Sequence, residues 1–171
     1  MANAVIDIPA APAPEAEAHF ADSFRYETDC WDVHEALSRP DPGFVLLDVR
    51  GPEMFAKGHV PGAIQLPHGK IIGFKMAAWP ADTLFVTYCA GPHCNGAARG
   101  ALRLAKLGRP VKIMTGGVTG WIDEGFPLEC GHPSARSGRQ GRRRQLLHLH
   151  SSRYRGGCTG DAPADPQPCR L

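Results

Sequence analysis

Three short apolar runs constrain this chain more than any other feature: residues 44–49 (FVLLDV), 84–88 (LFVTY) and 111–114 (VKIM). They lack the strict alternation of a strand with one face in water, and read as strands covered on both faces. That pattern calls for a parallel sheet with helices above and below it. Between the second and third runs, Ala98, Ala101, Leu102 and Ala105 recur at helical spacing, with Arg99, Arg103 and Lys106 opposite. Asn95 stands at the N-cap of this helix, and Gly108 and Pro110 end it. The unit is strand, loop, helix, strand, with a right-handed crossover expected.

Two further strands complete a set of five. Phe24-Arg25-Tyr26-Glu27-Thr28 alternates like an edge strand, and Ala63-Ile64-Gln65-Leu66 lies between Pro61-Gly62 and Pro67. A helix capped by Thr28 or Asp29 runs through Trp31, His34, Glu35 and Leu37 to the breaker Pro40-Asp41-Pro42-Gly43, and a short last helix surrounds Trp121 from Val118 to Glu124. The expected organisation is a disordered lead-in over 1–14, a folded domain over 15–130, and a basic, disordered tail over 131–171.

Charge divides the chain in the same place. Residues 131–171 carry eight arginines, no lysine and two aspartates, a net charge of +6, whereas residues 1–130 sum to −4. The Arg142-Arg143-Arg144 cluster could hold nucleic acid electrostatically. No aromatic platform or recognisable module accompanies it, so a solvated tail is the stronger expectation, and the abrupt change in composition also allows an out-of-frame extension. His148, His150, Cys158 and Cys169 in this tail supply metal-ligand types but lack paired ligand spacing, and no metal site is expected. No apolar run approaches the ~18 residues a membrane-spanning helix needs, and no basic residue precedes Arg25. Export is therefore not expected, and the expectation is a cytoplasmic protein with no membrane partner. The six cysteines (30, 89, 94, 130, 158 and 169) are even in number, but in that compartment a close pair is read as reactive or metal-binding rather than as part of a disulfide framework.

The sharpest local feature is Tyr88-Cys89-Ala90-Gly91-Pro92-His93-Cys94-Asn95-Gly96, which joins the end of a buried strand to the start of the amphipathic helix. In an open parallel sheet, ligands bind at the carboxyl ends of the strands, where Cys89 sits. A tight loop entering a helix can turn its N–H groups inward, and the helix terminus adds partial positive charge. Such a cup favours a thiolate at Cys89 and an anion near Ala90, Gly91, His93, Cys94 and Asn95. The plainer alternative is a small buried side chain finishing a strand. Cys94 could act as a resolving thiol, but the expectation is a thiol at the helix base, since a disulfide demands a close Cα approach. His93 could contact an anion or simply be solvated.

Asp48-Val49-Arg50 followed by Glu53-Met54-Phe55 and Gly58-His59-Val60-Pro61-Gly62-Ala63 resembles the signature of the rhodanese-like family. Cys89 falls where that family keeps its catalytic cysteine, and Gly116-Gly117 followed by Trp121 is similar to its closing segment. The resemblance spans about 24–128. It implies an α/β rhodanese-like fold of three layers, with a central, mostly parallel five-stranded sheet flanked by helices. It also implies a sulfurtransferase that carries a sulfane sulfur on Cys89 between a small-molecule donor, thiosulfate or a persulfide, and a thiol or cyanide acceptor, with no cofactor.

Two positions depart from the pattern. Many members place arginine where this chain has Cys94, and Asn95 occupies the arginine position of the Cys-x5-Arg loop that the phosphatase relatives use, which argues against phosphoryl transfer. Asp48 and Arg50 read as scaffold, with Arg50 pairing to Asp48 or Glu53. His59 reads as a turn residue whose placement would also suit a metal, and Trp31, Trp79 and Trp121 as packing. The competing functions are a non-catalytic binding module and a dithiol redox protein using Cys89 and Cys94. The oligomeric state is left open.

Overall fold

Two adjacent strands of four residues, Val45–Asp48 (β2) and Phe85–Tyr88 (β4), are buried along their whole length and pair in parallel, Val45 against Phe85 and Asp48 against Tyr88. They form the centre of the sheet in a computed structural model of the chain, which describes Asn3 and residues 5–131. Around them run α1 (Ala13–Tyr26), β1 (Glu27–Thr28), α2 (Cys30–Leu37), α3 (Pro52–Lys57), β3 (Ile64–Gln65), α4 (Gly73–Met76), α5 (Gly96–Lys106), β5 (Val111–Met114) and α6 (Gly117–Asp123). A 3-10 turn covers His68–Lys70. The sheet order is β1-β5-β4-β2-β3 and every pairing is parallel.

Side chains alternate across these strands, which creates two cores. Leu46, Val86 and Tyr88 face Cys30, Val33, Phe55, Val118 and Trp121, supplied by α2, α3 and α6. Val45, Leu47, Val49, Phe85 and Cys89 face Met76, Ala97 and Leu104, supplied by α4 and α5. The expected α/β sandwich of three layers is therefore present, with a sheet that is wholly parallel.

Three local expectations need correction. Phe24, Arg25 and Tyr26 end α1, and only Glu27 and Thr28 pair as strand. Phe24 and Tyr26 are exposed, so their alternation with polar residues reflected no buried sheet face. The α5 side that packs on the sheet is Gly96, Ala97, Gly100 and Leu104, while Ala98, Leu102 and Ala105 are exposed. Small residues win this face because the sheet comes close: a Cβ on Gly100 would lie 3.0 Å from Val49 Cγ1 and 3.5 Å from Thr87 Cγ2. The Thr87 hydroxyl then donates to Ala97 O at 3.1 Å and fixes the helix against β4. Finally, β5 is only half-buried from Val111 to Ile113, because its outer neighbour β1 is two residues long. Asp29 does cap α2, accepting from Asp32 N at 2.8 Å.

At the carboxyl end of β2, Asp48 and Arg50 form a buried pair, Arg50 Nη2 reaching Asp48 Oδ2 at 2.6 Å and Arg50 Nε reaching Asp48 Oδ1 at 2.9 Å. Asp48 Oδ1 also accepts from Arg50 N, and Arg50 Nη2 donates to Gly58 O at 2.7 Å. Burial works against the Arg50 charge, yet the hydrogen bonds and charge of Asp48, aided by Tyr88, hold the guanidinium above its ordinary range. Burial and the nearby Asp48 carboxylate push the Tyr88 phenol well up, and its oxygen accepts from Val60 N at 3.1 Å. Glu53, the other candidate partner, is exposed.

Cys30 opens α2 as a buried thiol that donates to Thr115 O at 3.3 Å. Burial, then the charges of Asp29, Glu124 and Asp123, push it from 9.0 up to about 11. The protonated thiol therefore favours the folded state below pH 9, and that advantage disappears as pH rises through about 11.

Asp48→Ala should leave a buried guanidinium unpaired and cost about 3–5 kcal/mol, read as a lowered urea midpoint, whereas Glu53→Ala should stay within about 0.5 kcal/mol. With the protein reduced, iodoacetamide at neutral pH should label Cys30 only after unfolding in guanidinium. Rapid labelling of the native chain would contradict its burial.

Candidate functional site

Cys89 follows β4 directly and, by strand alternation, points to the α5 side of the sheet. It is 6% exposed. Its sulfur lies at the foot of α5, since a Cβ on Gly96 would come within 2.7 Å of Cys89 Sγ and 3.3 Å of Cys94 Sγ. Only glycine leaves this space at the first residue of the helix.

The loop after Cys89 is suspended from the start of α6. Val118 N donates to Cys89 O at 3.1 Å, and Thr119 donates to Ala90 O through its amide at 2.9 Å and its hydroxyl at 3.1 Å. Gly117 makes this approach possible: its φ is +60°, and a Cβ there would sit 2.5 Å from Cys89 O. Cys94 N donates to Gly91 O at 3.0 Å, which folds the loop back on itself. Among the described residues, the amides of Ala90, Gly91, His93, Asn95, Gly96 and Ala97 donate to no backbone carbonyl. These free donors and the α5 terminus surround the turn with partial positive charge.

Cys89 and Cys94 are joined by a disulfide, with their Cα atoms 6.3 Å apart. The expectation that Cys94 is merely a thiol at the helix base is thus overturned, because the Gly91–Cys94 turn brings the two Cα atoms within disulfide range. Ala90, Gly91 and Cys94 are half-buried on this loop, and His93 and Asn95 are exposed. Asn95 occupies the N-cap position but makes no side-chain capping bond, so its predicted capping role is corrected to a backbone one: its carbonyl accepts from Arg99 N at 3.0 Å.

Asp48 and Arg50 sit at the neighbouring strand end and reach the loop through Tyr88, whose ring lies 5.9 Å from the Arg50 guanidinium carbon. They fix the residue that precedes Cys89. His59 is buried, donates from Nδ1 to Phe55 O at 2.9 Å and stacks on the Phe55 ring. Its backbone pairs with Glu129, so it holds a turn. No group of three or more metal-ligating side chains occurs among the described residues. His148, His150, Cys158, Cys169 and the Arg142-Arg143-Arg144 cluster lie outside them. No described helix is long and apolar enough to cross a membrane.

Sequence reasoning missed Gly96 as a neighbour of both sulfurs and Thr119 as the clasp on the loop. Gly96 carried a weak signal, a glycine at the first turn of a predicted helix; Thr119 carried none.

The model of the rhodanese-like domain matches residues 32–124, more than half of the chain. The chain is 38% identical over 101 residues to the HTH-type transcriptional regulator Rv0324 of Mycobacterium tuberculosis, a match covering 58% of this chain but only 44% of the regulator. It is 32% identical over 84 residues to a sulfurtransferase of Allochromatium vinosum, covering 49% of this chain and 77% of that protein. The crystal structure of the BH2092 protein from Bacillus halodurans superposes with a TM-score of 0.67 at 29% identity, over 75% of this chain and 99% of that one. The order of the sheet, the cysteine at the end of its central strand and these matches lead to one placement: the chain belongs to the rhodanese-like domain family.

Proposed function

We propose that the protein is a sulfurtransferase that carries a sulfane sulfur on Cys89. The observation that supports this most is the position of Cys89 Sγ at the glycine foot of α5, among loop and helix amides that donate to no backbone carbonyl. Once the Cys89–Cys94 bond is reduced, the same partial charges favour the Cys89 thiolate as a nucleophile. The thiolate attacks the outer sulfur of thiosulfate and expels sulfite, or attacks the outer sulfur of a persulfide and expels a thiolate. In both cases a sulfur–sulfur bond forms at Cys89 as the donor's own breaks. The amides of Gly91, His93, Asn95 and Gly96 then stabilise the terminal sulfur anion. Attack on that sulfur by a thiol or by cyanide yields an acceptor persulfide or thiocyanate and returns the thiolate, a ping-pong cycle.

The absence of arginine from the loop bears on the donor. With Cys94 where many relatives place a guanidinium, nothing in the loop pairs with the sulfonate end of thiosulfate by charge, so a persulfide donor suits this site better. The 32% identity to a protein named a sulfurtransferase supports the same activity.

Reduced protein given glutathione persulfide and cyanide together should form thiocyanate faster than the two reagents do alone, and Cys89→Ser should add nothing to that uncatalysed background. Thiocyanate production unchanged in Cys89→Ser would end this reading. Gly96→Ala, which forces Cys89 Sγ from its seat, should slow turnover by about tenfold or more, equivalent to at least ~1.4 kcal/mol of barrier. Its unfolding free energy should fall by about 1–2 kcal/mol, the cost of overpacking the site partly offset by the helix preference of alanine.

A further inference from the structure

We propose that Cys94 is a second catalytic residue, which resolves the Cys89 persulfide and releases its outer sulfur as sulfide. This rests on the sulfur-transfer reading and specifies where the sulfur goes when no external acceptor has arrived. Three observations support it. The two cysteine sulfurs are bonded in the structure, so Cys94 Sγ reaches the inner sulfur of a Cys89 persulfide without rearranging the loop. The loop that carries both is held, by the Cys94 N–Gly91 O turn and by the Val118 and Thr119 clasps, in the shape that pairs them. The bare Cα of Gly96 leaves room for both sulfurs at the helix foot.

The step balances without an outside oxidant. The Cys94 thiolate attacks Cys89 Sγ, the bond from Cys89 Sγ to the outer sulfur breaks, and that sulfur departs as hydrosulfide with the bonding electron pair. The outer sulfur is reduced as the two cysteines are oxidised to the disulfide. The proton given up by the Cys94 thiol is matched by the one that hydrosulfide takes up to become hydrogen sulfide. A small-molecule or protein dithiol then reopens the disulfide by exchange, itself becoming oxidised. An attacking thiol five residues away on the same loop has an effective concentration of about millimolar or more, and in the structure it is already seated against Cys89 Sγ. Cys94 thus competes with external acceptors on favourable terms, and the net reaction becomes dithiol-dependent reduction of sulfane sulfur to sulfide.

The test uses the full chain, reduced and freed of reductant, with one equivalent of glutathione persulfide. Samples are trapped over time with iodoacetamide and digested with trypsin. The tryptic peptide covering residues 76–99 holds Cys89 and Cys94 and no other cysteine. In the wild type this peptide should pass quickly to the disulfide, lighter by two hydrogens, as about one sulfide per chain is released. In Cys94→Ser it should keep one extra sulfur for about tenfold longer or more, with sulfide appearing only after a dithiol is added. Cys94→Ala, run beside it with melting curves for both, guards against a folding defect. If the wild-type peptide keeps its extra sulfur as long as Cys94→Ser does, the role of Cys94 is refuted while persulfide formation at Cys89 stands. If folded Cys94→Ser and Cys94→Ala take up no sulfur at all, the persulfide reading is refuted and this inference with it.

Discussion

Close contact between α5 and the central strands sets the geometry of everything around Cys89. Gly100 brings the helix to within van der Waals contact of Val49 and Thr87, and the Thr87 hydroxyl fastens it to Ala97. Gly96 then arrives beside the cysteine that extends β4. A side chain on either glycine would lift the helix or displace the sulfur, since interiors packed at crystal density absorb even one methyl group poorly. The cup around Cys89 is in this sense a consequence of how two core layers meet.

The opposite face of the sheet supports the same point by other means. Asp48, Arg50 and Tyr88 cross-link the ends of β2 and β4 on the α3 side, and the burial of this ion pair makes it sensitive to loss of either partner. From above, the start of α6 holds the Cys89 and Ala90 carbonyls. The loop is thus fixed at its root by the sheet and along its length by α6, and among the described residues the amides of Ala90, Gly91, His93 and Asn95 donate to no backbone carbonyl. Under the proposed mechanism, helix charge at a preorganised turn takes the place of a cationic side chain, and the loop holds a second cysteine where many relatives carry a guanidinium.

Much of this was legible in the chain itself. Largely apolar runs without strict alternation pointed to parallel strands covered on both faces, and the loop from Tyr88 to Gly96 announced itself through a cysteine, a Gly-Pro turn and a helix start. The errors are instructive. Phe24 and Tyr26 alternate with polar neighbours yet finish a helix, since alternation over so few residues also fits an exposed helix end. Alanines suggested the wrong buried side of α5, because their weak hydrophobicity cannot outvote the steric demand of a nearby sheet, which selected Gly96 and Gly100 instead.

The sequence by itself determined the layered α/β architecture, the three inner strands and the place of Cys89 at a carboxyl strand end, because hydrophobic periodicity and turn chemistry act locally and leave a local record. Only the tertiary structure decided that Cys94 joins Cys89, that Gly96 makes room for both sulfurs and that Thr119 clasps the loop. Those relations depend on distances between segments far apart in the chain, or on the path of a turn whose residues permit several. Such distances are set by close packing, and no spacing of letters encodes them.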